Sequence, residues 1–137
     1  MLGDDWRSAS ASIAGQVSSE LSASLTARPL TDKLTEFVIH PSNIDATDIR
    51  LTISQFDVIV SAGRGTKFEL PPLPQSETTL IAIVRAIGGG NLSESIRGGL
   101  IRYQLLLADG TTLQGRSMKG LPLGRRTSKS YSPYSSG

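Results

Sequence analysis

Apolar residues near the start of the chain recur every three or four positions: Trp6, Ala9, Ile13, Val17, Leu21 and Leu25. That spacing lays them along one stripe of an α-helix running from Asp4 to about Leu25. Asp4 and Asp5 stand where acids favour a helix N-terminus. Pro29 ends the pattern, because the residue before a proline is pushed toward an extended conformation. The opposite face is almost all serine, at positions 8, 10, 12, 18, 19, 22 and 24, with Arg7 and Glu20 as its charged residues. Serine is an indifferent helix former, so this helix needs a surface to pack on. Trp6, Ile13, Val17 and Leu21 are therefore expected to dock on a neighbouring subunit or on the chain's own sheet. Bulky residues opposite an uncharged serine face also resemble membrane-curvature sensors, which leaves a lipid surface as a weaker expectation for the same helix.

From Leu34 onward the periodicity shortens to that of strands. Residues 36–39 form a short β-type run closed by the turn-rich His40-Pro41-Ser42-Asn43. Residues 48–54 alternate, with Ile49, Leu51 and Ile53 on one face. The apolar set then changes parity to Phe56, Val58 and Val60, which requires a bulge or bend near Gln55. Gly63-Arg64-Gly65 suits a hairpin loop into residues 66–70, with Phe68 and Leu70 inward. The clearest hairpin runs from Leu100, with Ile101, Tyr103, Leu105 and Leu107 on one face, through Asp109-Gly110 to a return over residues 111–114.

Residues 78–87, TTLIAIVRAI, fit two descriptions. As a helix, Leu80, Ile83, Val84 and Ile87 share a face, with Ser76 and Gly88 available as caps. As a strand, the Thr, Ile and Val content is favourable and both faces would be buried. The strand is the expectation, since the neighbouring runs are strands and the segment has no charged face. Counting it, the pattern predicts a mainly β fold: a small antiparallel sandwich or barrel of about seven strands, an N-terminal helix and an extended basic tail. The divisions are residues 1–28 for the helix, 29–116 for the core and 117–137 for a Ser-, Gly- and Pro-rich tail without periodicity. Such a tail is flexible unless a partner or an assembly holds it. Truncation after about residue 116 should then leave the core intact.

Charge changes this picture. Residues 1–96 carry seven cations and eleven acids, a net −4; residues 97–137 carry seven cations and Asp109 alone, a net +6. A basic end on an acidic body points to a polyanion or an acidic neighbour, or serves as a solubilising tail. Arg116, Lys119, Arg125, Arg126 and Lys129, followed by Tyr131 and Tyr134, have the residue types for nucleic-acid backbone contact with base stacking, or for lying along an acidic protein groove. No recognised nucleic-acid module accompanies them. Arg125-Arg126-Thr127-Ser128 and Ser132-Pro133 also match short kinase-substrate patterns, which arise often by chance.

The 137 residues include no Cys and one His. Disulfides, thiolate nucleophiles and Cys-based metal sites are thereby excluded, and a hydrolytic arrangement would hang on His40 alone. Asp45 and Asp48 lie close by, but G-x-S-x-G is missing and two acids fall short of a calcium shell. They read as turn formers and His40 as a loop histidine. The glycines at 88–90 and 98–99 lack the GK[ST] of a phosphate loop and read as ends of a flexible connection over residues 92–97. Asn91-Leu92-Ser93 matches a glycosylation sequon, which matters only in a secreted chain. No apolar run reaches the roughly 20 residues of a membrane span, and the acidic start does not resemble a signal peptide. The expected location is cytoplasmic, or within a particle assembled there. No cofactor, metal or catalytic residue is expected. The expected role is a non-enzymatic structural or accessory subunit of a larger assembly, such as a virion or another multi-subunit particle. The alternatives are a small monomeric inhibitor or immunity-type protein and, behind it, a small hydrolase using His40.

Overall fold

The computed structural model describes residues 5–134; Asp4 and the last three tail residues lie outside that range. Helix α1, Asp5–Glu20, buries Trp6, Ile13, Ala14 and Val17. Two of its serines are also buried, and each returns its hydroxyl to the helix backbone: Ser10 donates to the carbonyls of Trp6 and Arg7, Ser18 to that of Gly15. These two buried hydroxyls are thus satisfied without charge, while Glu20 at the helix end pairs with Arg85 at 2.8 Å. The helix stops earlier than Leu25. Ser22 adopts a left-handed φ of 53°. The amide of Ala23 then reaches the Ser18 carbonyl at 2.9 Å and that of Ser22 the Ser19 carbonyl at 3.1 Å. This pair of bonds closes a Schellman motif and turns the chain into a strand.

That strand, β1 (Ser24–Thr31), opens a five-stranded meander with β2 (Leu34–His40), β3 (Ile49–Ser54), β4 (Val58–Ala62) and β5 (Thr66–Leu70), all antiparallel neighbours in chain order. Pro29 is tolerated within β1 because β1 is an edge strand, and the register slips just beyond it. The parity change near Gln55 is a chain reversal. Ser54 Oγ accepts the amides of Phe56 and Asp57, and Phe56, expected inward, stands 71% exposed at the turn. The inner face of the meander carries Phe37, Ile39, Ile49, Leu51, Ile53, Val58 and Val60, packed in one core with α1.

Residues 77–88 form a helix, α2 (Glu77–Gly88), where a strand was expected. Leu80, Ile83, Val84 and Ile87 are fully buried, and α2 touches α1, β3 and β4. It also touches the second sheet. Its outward stripe is Thr78, Ile81, Ala82 and Arg85, and the two apolar residues there are why the pattern imitated a buried strand. Its C-terminal cap is Gly89, whose amide bonds the Arg85 carbonyl at 2.8 Å, and Ser76 makes no side-chain cap.

The second sheet has the order β8-β7-β6-β9, built from β6 (Leu92–Arg97), β7 (Leu100–Leu106), β8 (Thr112–Met118) and β9 (Thr127–Ser130). The β7–β8 hairpin turns at Asp109-Gly110, where Gly110 has φ 91° and the Thr111 amide bonds the Asp109 carboxylate. Residues 92–97, expected to be a flexible connection, are instead a central strand. Residues 127–130, expected in a flexible tail, pair antiparallel with it. The two sheets meet where β5 approaches β7 and β8, with Phe68 and Tyr103 in edge-to-face contact at 5.5 Å. The result is a mainly β, sandwich-like fold of nine strands among the described residues.

A candidate anion-binding groove

Glu94 occupies an inward position of β6 and is only 2% exposed. A buried carboxylate must be heavily hydrogen-bonded, and four donors converge on this one. Oε1 accepts the Arg64 amide at 3.0 Å and the Tyr131 hydroxyl at 2.5 Å. Oε2 accepts the Gly65 amide at 2.9 Å and the Thr66 hydroxyl at 2.7 Å. Burial pushes the Glu94 carboxyl up; the Tyr131 hydroxyl, the two amides and the Thr66 hydroxyl together push it further down, so it ends below the usual carboxylate range. Burial, and then the bond to Glu94, raises the Tyr131 phenol. The β4–β5 hairpin thus closes around a carboxylate from the other sheet, as backbone nests close around anions. Gly63, at φ 60°, leaves no room for a side chain: a Cβ there would lie 2.7 Å from Glu94 Oε1.

The C-terminal segment is part of this clamp. Tyr131 and Tyr134, expected to stack on bases, are buried in the core. Tyr134 donates to the carbonyls of Thr47 at 2.5 Å and Ile39 at 3.1 Å, and its amide bonds the Gly88 carbonyl at 2.7 Å. Both rings are therefore committed to holding the chain end and are not free for stacking.

Beside the clamp lies a groove of about 730 Å³, bordered by Arg50, Arg64, Lys67, Lys119 and Lys129, with Asp48 the single acid among the described residues lining it. Arg50 stands 3.6 Å from Glu36 and Lys67 3.5 Å from Glu69, so those two cations are partly compensated. Lys119 Nζ donates to the Arg64 carbonyl at 2.6 Å, and Lys129 Nζ lies 5.7 Å from the Tyr131 ring centre. The Ser117 hydroxyl, also at the groove, has no hydrogen-bond partner.

Of the residues expected to bind partners, Trp6, Ile13 and Val17 pack in the chain's own core, and Leu21 lies half-buried against it over Gly88. The helix face is therefore used within the chain, on its own sheet and α2. Lys119 and Lys129 reach the groove, whereas Arg116 borders a second hollow of about 530 Å³ on the outer face of the second sheet, beside Arg102, Gln104 and Gln114. Arg125 and Arg126 are exposed ahead of β9. Arg50, Arg64, Lys67 and Glu94 were not anticipated. The available signal was Glu94 itself, a carboxylate at an apolar position of the alternating Leu92, Glu94, Ile96.

His40 lies on the outer face of the meander, with Nε2 3.0 Å from Thr26 Oγ1 and Nδ1 3.7 Å from Asp48 Oδ2. The order is hydroxyl, imidazole, carboxylate, but the side chains of His40 and Asp48 are 38% and 59% exposed, so charge developing there would be solvated largely by water rather than by fixed dipoles. Asp45 is a turn residue, its amide bonded to Asn43 Oδ1. No group of three metal-ligating side chains and no helix long and apolar enough to cross a membrane occurs among the described residues. No family model, curated protein or solved structure matches this chain.

Proposed function

We propose that this chain is a non-enzymatic accessory subunit of a larger assembly and that its groove holds an acidic segment of a neighbouring protein. The observation that carries the reading is convergence: Arg50 from β3, Arg64 and Lys67 from the β4–β5 hairpin, and Lys119 and Lys129 from the C-terminal part border one concave surface. Cations from distant parts of a chain repel one another, and gathering them is favourable when an anion completes the set. An acidic protein segment suits the site better than nucleic acid, because the two tyrosines that would stack bases are buried. The inhibitor reading draws less support. The acids on the outer face of the meander alternate with Arg28, Arg50 and Lys67, so they present no uniform acidic surface.

Fluorescence anisotropy with a labelled oligoglutamate peptide tests this. Binding is expected to weaken about tenfold or more between roughly 0.05 and 0.2 M salt. The double variant Lys67→Glu, Lys129→Glu should abolish it while leaving the melting temperature nearly unchanged, since both side chains are exposed. Peptide binding that ignores both salt and the double variant would remove the groove from consideration. Tight binding of an oligonucleotide in place of the peptide would replace the acidic protein by nucleic acid.

A further inference from the structure

The end of β8 and the segment joining it to β9 expose three large apolar side chains that the described residues leave uncovered: Met118 is 60%, Leu121 72% and Leu123 69% exposed. The backbone beneath them is tied down. Gly99 donates its amide to the Leu121 carbonyl at 3.0 Å, and the Lys119 amide bonds the Gly99 carbonyl at 2.6 Å. Arg97 Nε reaches the Gly124 carbonyl at 3.2 Å. Gly98 and Gly99 allow this approach, for a Cβ on Gly99 would fall 2.2 Å from the Gly120 nitrogen. The β6–β7 turn therefore braces the loop from below, and the apolar side chains project from a fixed base. Three exposed large apolar side chains within six residues of chain mark a contact site.

Its electrostatic setting narrows the occupant. Arg125 and Arg126 follow Leu123 within three residues and make no ion pair among the described residues, and Arg97 joins them across the hairpin. The one acid after Glu94, Asp109, sits at the β7–β8 turn, at the far end of β7 from the Leu100–Met118 pair. A second copy packed loop against loop would bring like charges together. Nucleic acid would engage the arginines and leave the leucines in water. An anionic bilayer supplies both halves of the match, charged headgroups at the surface and hydrocarbon a few ångströms beneath. The geometry points to this loop as a docking site for an anionic lipid surface, with Met118, Leu121 and Leu123 entering the headgroup boundary and Arg97, Arg125 and Arg126 at headgroup level. It stands independently of the acidic-segment reading of the groove.

Vesicle co-sedimentation of the full chain decides it. Phosphatidylcholine vesicles containing roughly 30% phosphatidylserine should retain the protein, and pure phosphatidylcholine should retain little. The pair Leu121→Ser, Leu123→Ser should weaken retention about tenfold or more, and Arg125→Gln with Arg126→Gln by a similar factor. Both variants should keep the wild-type circular dichroism and oligoglutamate affinity, which separates this site from the groove. Failure to bind anionic vesicles overturns the proposal. So does retention that survives the leucine pair, which would indicate adsorption by charge alone. A change of oligomeric state in the leucine variant, without a change in vesicle binding, would assign the loop to a protein contact instead.

Discussion

Replacing Glu94 with alanine removes the acceptor for four donors at once: two backbone amides and the hydroxyls of Thr66 and Tyr131. A buried donor left unpaired costs about 1–3 kcal/mol. Water entering the vacated space recovers part of that, so the net loss is about 3–5 kcal/mol, as for other broken buried charge clusters. Against a typical domain stability of about 5–15 kcal/mol, this is a large share, visible as a fall in Tm of about 10–15 °C. Glu94→Gln keeps the shape but turns an NH2 toward donors, with an expected loss of about 2–3 kcal/mol. Tyr131→Phe removes one donor of four and should lose about 2 kcal/mol. Urea unfolding at constant m value is the assay. The pH dependence gives a second readout. The folded carboxyl lies below its ordinary value, so its contribution is fully present above the unfolded pKa of 4.5 and is lost as pH falls through the folded value. Wild type should therefore lose stability below about pH 4.5, and Glu94→Gln should show a shallower acid limb. A glutamine variant as stable as wild type at neutral pH, with an unchanged acid limb, would refute the clamp.

Two other perturbations probe the same region. Gly63→Ala places a methyl against the Glu94 carboxylate at a left-handed φ and should lose about 2–3 kcal/mol. Gly110→Ala also has a positive φ, but nothing lies within 4 Å, so it should lose only about 1 kcal/mol; equal losses in thermal melts would remove the steric argument. Deleting the residues after 126 removes β9, Tyr131 and Tyr134, and should abolish the cooperative urea transition and the near-ultraviolet signal of the tertiary fold.

The elements that could be read from the chain are those whose local pattern agrees with their final surroundings. Residues 100–114 alternate, turn at Asp-Gly and form a hairpin, whose return strand runs on to Met118, past the expected start of the tail; Gly63-Arg64-Gly65 likewise closes β4 onto β5. The missed elements owe their identity to contacts distant in sequence. The outward stripe of α2, Thr78, Ile81, Ala82 and Arg85, carries two apolar residues, so period alone does not separate this helix from a buried strand. Strand β6 places a carboxylate where alternation calls for an apolar residue, and the anion becomes intelligible only with the hairpin 30 residues earlier. Strand β9, Thr-Ser-Lys-Ser, has no apolar residue, so pairing with β6 alone makes it a strand. The groove divides in the same way. Lys119 and Lys129 stood out in a basic run, while Arg50, Arg64 and Lys67 were hidden among acids such as Glu36 and Glu69, and only the topology joins the two sets.

The clamp and the groove also share parts, which ties stability to contact. Arg64 gives its amide to Glu94 and its carbonyl to Lys119, while its residue borders the groove. Tyr131 bonds Glu94 with its hydroxyl and lies beneath Lys129 with its ring. Both walls of the basic surface are therefore held in register by one buried carboxylate, whose donors come from the β4–β5 hairpin and the C-terminal segment together. A C-terminal segment released from β6 would take Lys129 with it and leave Glu94 short of a donor. Such local opening costs the clamp its Tyr131 donor and destroys the charge convergence in the same step. The +6 charge of the C-terminal part thus does not belong to a detachable arm: Lys119 and Lys129 form one wall of a surface whose other wall comes from the acidic body, and the strand that carries Lys129 is as necessary to the fold as to any anion the groove receives.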